Sequence, residues 1–127
     1  MRLLWVAGGR NYTGAQRGTL PIMRDVLRPY ADTGWVLITG AQRGADLTAE
    51  TIWRGWECSY IGIPAKWGMA GRSAGPKRNI IIARYQPKPK LLLHFPGGYG
   101  TANAVKAAEA AGIETLQVGI TKNINAD

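Results

Sequence analysis

Phe95-Pro96-Gly97-Gly98-Tyr99-Gly100-Thr101 is the stretch on which the reading of this chain turns. The apolar run Leu91 to Phe95 leads into it, and an alanine-rich segment of helical pattern leads out. A strand that empties into a glycine-rich turn and then a helix is how an α/β protein builds an anion site. Glycines let the backbone pass close to a ligand with several N–H groups aimed at it. The first helical turn adds partial positive charge. Pro96, Gly97, Gly98, Tyr99, Gly100 and Thr101 are therefore the first candidate phosphate-binding residues.

Working outward, the same grammar recurs. Leu3 to Ala7 is a continuous apolar run, as expected of a strand buried on both faces, and it ends in Gly8-Gly9-Arg10-Asn11-Tyr12. The next helix is predicted to start near Thr19 as N-cap, with Pro21 in its first turn. Ile22, Met23, Val26, Leu27 and Tyr30 give it one apolar face, and Pro29 predicts an end nearby. Trp35 to Thr39 is the second strand and runs into Gly40-Ala41-Gln42-Arg43-Gly44-Ala45-Asp46. A helix with Ala45, Ala49, Ile52, Trp53 and Trp56 on one side follows. Ser59 to Ile63 is the third strand, and Pro64 to Pro76 is an irregular stretch of functional-loop length. Lys77 to Tyr85 reads as a short helix with Arg78 and Asn79 in its first turn. After the fourth strand, Leu91 to Phe95, a helix runs from about Gly100 to Ala111 and stops at Gly112. Thr115 to Val118 is the fifth strand, and a polar tail begins at about 120.

Strands alternating with helices imply an α/β fold: a three-layer sandwich of about five strands, mostly parallel, with helices on both faces. The chain reads as one domain, 1–127, with no internal repeat. Ligands of such sheets bind beyond the carboxyl ends of the strands. The loops gathered there are the glycine- or proline-bearing ones just quoted.

The totals agree with a folded, anion-seeking protein. Hydrophobic residues make up 46% and charged residues 19%, which excludes a disordered chain. Lys and Arg number 16 against 8 acids, a net charge of +8, so phosphates, nucleotides or nucleic acid are the expected partners. Cys58 is the only cysteine, so no internal disulfide forms and no thiol cluster points to zinc. No metal or other cofactor is expected. No apolar stretch approaches the roughly 20 residues of a membrane span, and Met1 to Ala7 reads as a strand rather than a leader. The expectation is a soluble, cytoplasmic protein with no membrane partner.

Phe95 to Thr101 resembles the PGGxGT motif of the Lonely-guy and lysine-decarboxylase-like proteins. The VAGGR string ending at Arg10, the ITGAQRGAD string ending at Asp46, Pro64-Ala65-Lys66-Trp67 and Ala74 to Asn79 together look like the small YspA/YpsA-related SLOG proteins. This resemblance runs from Leu3 to Val118. It implies a Rossmann-like fold and, from the Lonely-guy branch, phosphoribohydrolase cleavage of nucleoside monophosphates. In those enzymes the PGG loop and the following Thr hold the substrate phosphate, which maps to Gly97, Gly98, Gly100 and Thr101. Their Arg on the preceding helix maps to Arg78. They place a Glu two or three residues after the Thr, where this chain has Asn103 and Ala104. Related Lonely-guy proteins assemble through helices, and Ile80-Ile81-Ile82 exceeds what one helix face needs, so a homodimer or higher homo-oligomer is expected.

Asn103 can hydrogen-bond a ribose or base, but it supplies neither charge nor a proton acceptor to an oxocarbenium-like centre. Asp46 is the one remaining acid in these loops. Its first-turn position has a capping explanation, which ranks ahead of base chemistry. Arg10, Arg43 and Arg78 each sit at a strand–helix transition, and arginine matches phosphate bidentately. Tyr12 and Tyr99 fit either base stacking or loop packing, and Trp67 reads as a lid. His94, alone in an apolar strand, reads as a packing residue.

The leading expectation is thus a module that binds a nucleotide or nucleotide-derived ligand as sensor or sequestering protein. Its phosphate lies on Pro96 to Thr101 and Arg78, with Asn79 beside it, and its ribose or base near Gly8, Gly9, Arg10, Gly40, Arg43, Gly44, Asp46 and Asn103. The alternatives are a nucleoside monophosphate phosphoribohydrolase with Asp46 and Arg78 catalytic, and DprA-like binding of single-stranded DNA.

Overall fold

A computed structural model describes residues 1–14 and 18–118. The polar tail expected from about 120 lies outside them. Five parallel strands form one sheet in the order β3-β2-β1-β4-β5. They are β1 Leu3–Ala7, β2 Val36–Thr39, β3 Tyr60–Gly62, β4 Leu91–His94 and β5 Glu114–Gln117. The helices are α1 Thr19–Asp32, α2 Ala45–Gly55, the single turn α3 Trp67–Ala70, α4 Ala74–Ala83 and α5 Tyr99–Ala110, with a 3₁₀ turn at Gly71–Ser73. The α/β Rossmann-like reading therefore holds.

Strand alternation splits the core in two. Leu4, Val6, Leu37, Leu91 and Leu93 face one way, onto Met23 and Leu27 of α1 and Ala49 and Trp53 of α2. Leu3, Trp5, Ile38 and Leu92 face the other way, onto Ile82 of α4 and Ala104 and Ala108 of α5. Both sheet faces are covered, which is why the strands are near-continuous apolar runs. Trp53 is fully buried and donates its ring N–H to Ser59 O at 2.8 Å.

The strand order reverses between β1 and β4. The chain leaves β1 toward the α1 layer and leaves β4 toward the α5 layer, so a crevice opens where the two loops part. The loops are pinned together at their roots. Phe95 N donates to Ala7 O and Gly9 N to Pro96 O, both at 2.8 Å.

Several expected boundaries move. Thr19 is the first helical residue of α1 rather than its cap, and Gly18 fills the cap position at φ 81. The end expected near Pro29 is found: α1 closes at Asp32, with the proline in its last turn. In the last turn a proline forgoes one N–H bond, and Thr33 Oγ1 donates to Pro29 O at 2.8 Å to close the end. The third strand is shorter than Ser59 to Ile63, as befits an exposed edge. The largest difference lies in Pro64 to Pro76, which is mostly helical. Pro76 falls within the first turn of α4, where a missing N–H costs nothing. α4 thus begins at Ala74 rather than Lys77, and Arg78 and Asn79 sit in its second turn, facing inward. Ile82 is buried while Ile80 and Ile81 are about half exposed.

This asymmetry within α4 can be measured. Ile82→Ala should lower the unfolding free energy by about 2–5 kcal/mol, the range for a fully buried aliphatic truncation. Ile81→Ala should cost under about 1 kcal/mol in the monomer, read from urea unfolding at low protein concentration.

Candidate functional site

The crevice is a cavity of about 650 Å³ at the carboxyl ends of β1, β2 and β4, floored by Trp5 and Ala7. One wall is the start of α5. Gly98 occupies the cap position with no side-chain cap. The N–H groups of Tyr99, Gly100 and Thr101 make no hydrogen bond to a described residue, since the ladder begins with Ala102 N on Gly98 O at 3.0 Å. Thr101 is 8% exposed, and its Oγ1 finds no hydrogen-bond partner among the described residues. Gly97 makes this approach possible: a Cβ there would lie 2.1 Å from Thr101 Oγ1 and 2.7 Å from Gly9 N. A buried hydroxyl without a partner costs roughly 1–3 kcal/mol, so a ligand oxygen that met it would be favoured.

The opposite wall is built on Arg78. Its guanidinium is 7% exposed and donates to Gly40 O at 2.6 Å, Gln42 Oε1 at 3.2 Å and Asn79 Oδ1 at 2.8 Å. Asn79 Nδ2 then donates to Asn103 Oδ1 at 2.9 Å. This chain ties the β2–α2 loop to α4 and α5, and Asn103 lines the cavity. Burial lowers the Arg78 pKa, with Asp46 acting the other way.

Asp46 lines the same cavity at 6% exposure. Oδ2 accepts the N–H of Gln42 at 3.3 Å, a residue of the preceding loop, so the carboxylate braces the loop rather than its own first turn. Its pKa is pushed up from 3.8 to about 7. Burial is the main cause and Glu50 adds to it, while the Gln42 and Gly40 N–H groups and Arg78 oppose it. Asp46 and Arg78 interact through charge but form no ion pair.

The remaining candidates divide. Gly8, Gly9, Arg10, Gly40, Asn79, Gly98, Tyr99, Gly100 and Asn103 line the cavity with Asp46, Arg78 and Thr101. The N–H of Gly9 is taken by Pro96 O, so it pins loops rather than facing a ligand. Pro96 and Gly97 shape the turn behind the wall. Arg43 and Gly44 line a second cleft with Arg24 and Leu47. The reason is the turn at Gly44, φ 103, where a Cβ would lie 2.1 Å from Gly9 O. That turn sends Asp46 inward and leaves Arg43 exposed.

Tyr12 is 5% exposed, with its ring 5.2 Å from Phe95, which makes it a core residue. Tyr99 is 97% exposed at the cavity mouth. Trp67 packs over Gly75 and lines the mouth, with the Arg10 guanidinium 5.8 Å from its ring centroid. His94 is outside the lining, and burial lowers its pKa. Gln42, Arg72 and Lys106 also line the cavity and were not among the sequence candidates. Lys106 had a legible signal: Tyr99, Ala102, Asn103 and Lys106 fall at i, i+3, i+4 and i+7 on one face of α5. Among the described residues no group of three or more His, Cys, Asp or Glu side chains forms a metal site, and no helix is long and apolar enough to cross a membrane.

The chain is similar to the X-ray structure of TM1055, a Northeast Structural Genomics Consortium target. The TM-score is 0.74 at 18% identity, covering 91% of this chain and 72% of that one, a likeness of fold. No family model matches the chain, and no curated protein matches it.

The Asp46 environment makes stability depend on pH. A carboxyl group whose folded pKa is raised binds more protons folded than unfolded, so its contribution is present below the unfolded value and is lost as pH rises through the folded one. Between pH 3.8 and about 7 the wild type should therefore lose stability relative to Asp46→Asn as pH rises. Paired denaturant melts across that window check this, and a difference independent of pH would contradict it.

Proposed function

We propose that the chain is a nucleotide-binding module of the SLOG type, with the ligand phosphate held at the start of α5 and the ribose or base between Asp46, Asn103 and the mouth of the cavity. The observation that carries this is Thr101 Oγ1, buried and without a partner among the described residues, beside three N–H groups of α5 that likewise bond to none of them. Backbone donors, a hydroxyl and a helix dipole converging on one point suit a phosphate. Arg78 acts mainly as the strut of the site, because three of its donors are held by protein acceptors. Binding without cleavage follows from Asn103 and Ala104, which put no carboxylate where Lonely-guy enzymes place their Glu. The exposed Ile80 and Ile81 support the accompanying proposal of a homo-oligomer built on α4.

One observation favours a second reading. Asp46 faces the cavity with a pKa near 7, the range suited to a general base. In a nucleoside monophosphate hydrolase it would take a proton from water as the water oxygen bonds to C1′ and the N-glycosidic bond breaks toward the base. Release of free base and ribose 5-phosphate, abolished in Asp46→Asn with binding retained, would decide for catalysis.

Thr101→Val tests the binding reading through two opposite effects. Removing an unpartnered hydroxyl at constant shape should leave stability unchanged or raise it by up to about 1–3 kcal/mol. Losing a hydrogen bond to a charged phosphate should weaken AMP binding about 10- to 100-fold by calorimetry. Unchanged affinity in a folded variant would place the phosphate elsewhere.

A further inference from the structure

The cavity carries more positive charge than one phosphate requires. Arg10, Arg72, Arg78 and Lys106 line it against the single carboxylate of Asp46. Arg78 is committed to protein acceptors, and Arg10 lies over the Trp67 ring. Arg72 and Lys106 are different. Both are exposed, and neither makes a hydrogen bond or ion pair with a described residue. They approach from two walls, Arg72 from the 3₁₀ turn before α4 and Lys106 from α5.

Their position separates them from the first anion site. Lys106 is five residues beyond Thr101, so its Cα lies about 7.5 Å further along the helix axis. That offset places its anchor point away from the helix N-terminus, within reach of a second anionic group on the same ligand. Ala102 and Asn103 line the cavity between the two points. A cavity of about 650 Å³ leaves room for such a ligand.

We propose that Arg72 and Lys106 form a second anion subsite, so that the ligand is a nucleotide bearing two phosphate groups. The inference rests on the nucleotide reading above and deepens it. The shared chemistry is two phosphates on one nucleoside, either adjacent, as in a 5′-diphosphate, or apart, as in a 3′,5′-bisphosphate.

Calorimetry with AMP, ADP and adenosine 3′,5′-bisphosphate at fixed ionic strength tests it, on the wild type and on the double variant Arg72→Gln/Lys106→Gln. Both side chains are exposed, so the double variant should fold. At least one doubly phosphorylated ligand should bind the wild type about tenfold or more tighter than AMP, and which one does so reports the phosphate spacing. The double variant should lose that advantage and keep its AMP affinity within about twofold. Equal affinity for all three ligands, or an advantage that survives in the double variant, overturns the inference and leaves the nucleotide reading standing. An AMP affinity that falls in step with the others also overturns it, because both side chains would then serve the first phosphate. Binding of none of the three overturns both readings.

Discussion

A guanidinium that is almost wholly buried must find its acceptors inside the protein, because an unmatched buried charge costs several kcal/mol. Arg78 meets this constraint by reaching from α4 to Gly40 O and Gln42 Oε1 on the β2–α2 loop and to Asn79 Oδ1 beside it. Asn79 extends the link to Asn103 on α5. Three segments far apart in sequence are thereby held around one cavity. Asp46, which touches the same loop through Gln42 N, inherits its environment from that arrangement. The site is therefore a rigid polar wall on one side and a row of unmet donors on the other.

The unmet donors are the informative side. Protein interiors rarely leave a buried hydroxyl unpaired, and a helix start inside a cavity is normally capped. Here Thr101 Oγ1 is buried while Tyr99 and Gly100 at the start of α5 are exposed, neither the hydroxyl nor the first-turn N–H groups having a partner among the described residues, and Gly97 is needed for the chain to come that close. The buried hydroxyl is the part that costs stability, and an anionic ligand accepting hydrogen bonds is what the proposed function sets against that cost. The basic side chains at the mouth agree in sign.

Much of the fold was legible because parallel strands buried on both faces read as apolar runs, and Leu3–Ala7 and Leu91–His94 are such runs. The glycine-rich turns then pointed to the sheet edge at which the cavity opens. What the sequence could not carry was direction. Arg43 and Asp46 are three residues apart and looked like one cluster, but the φ 103 turn at Gly44 leaves Arg43 exposed on a second cleft and Asp46 within the first. Pro64 to Pro76 reads as an irregular loop, whereas α4 already starts at Ala74, and three residues of shift turn Arg78 from an expected phosphate ligand into a buried strut. Lys106 was overlooked because a lysine on an exposed helix face has an ordinary solvent explanation.

Whether a ligand phosphate binds at the start of α5 can be read from an amide ¹H–¹⁵N titration of the labelled protein with AMP. Binding there should give the largest shifts at Gly98, Tyr99, Gly100 and Thr101, saturating together with a single affinity. Largest shifts around Arg43 and Leu47 on the second cleft, or none at the α5 start at saturating AMP, would contradict it.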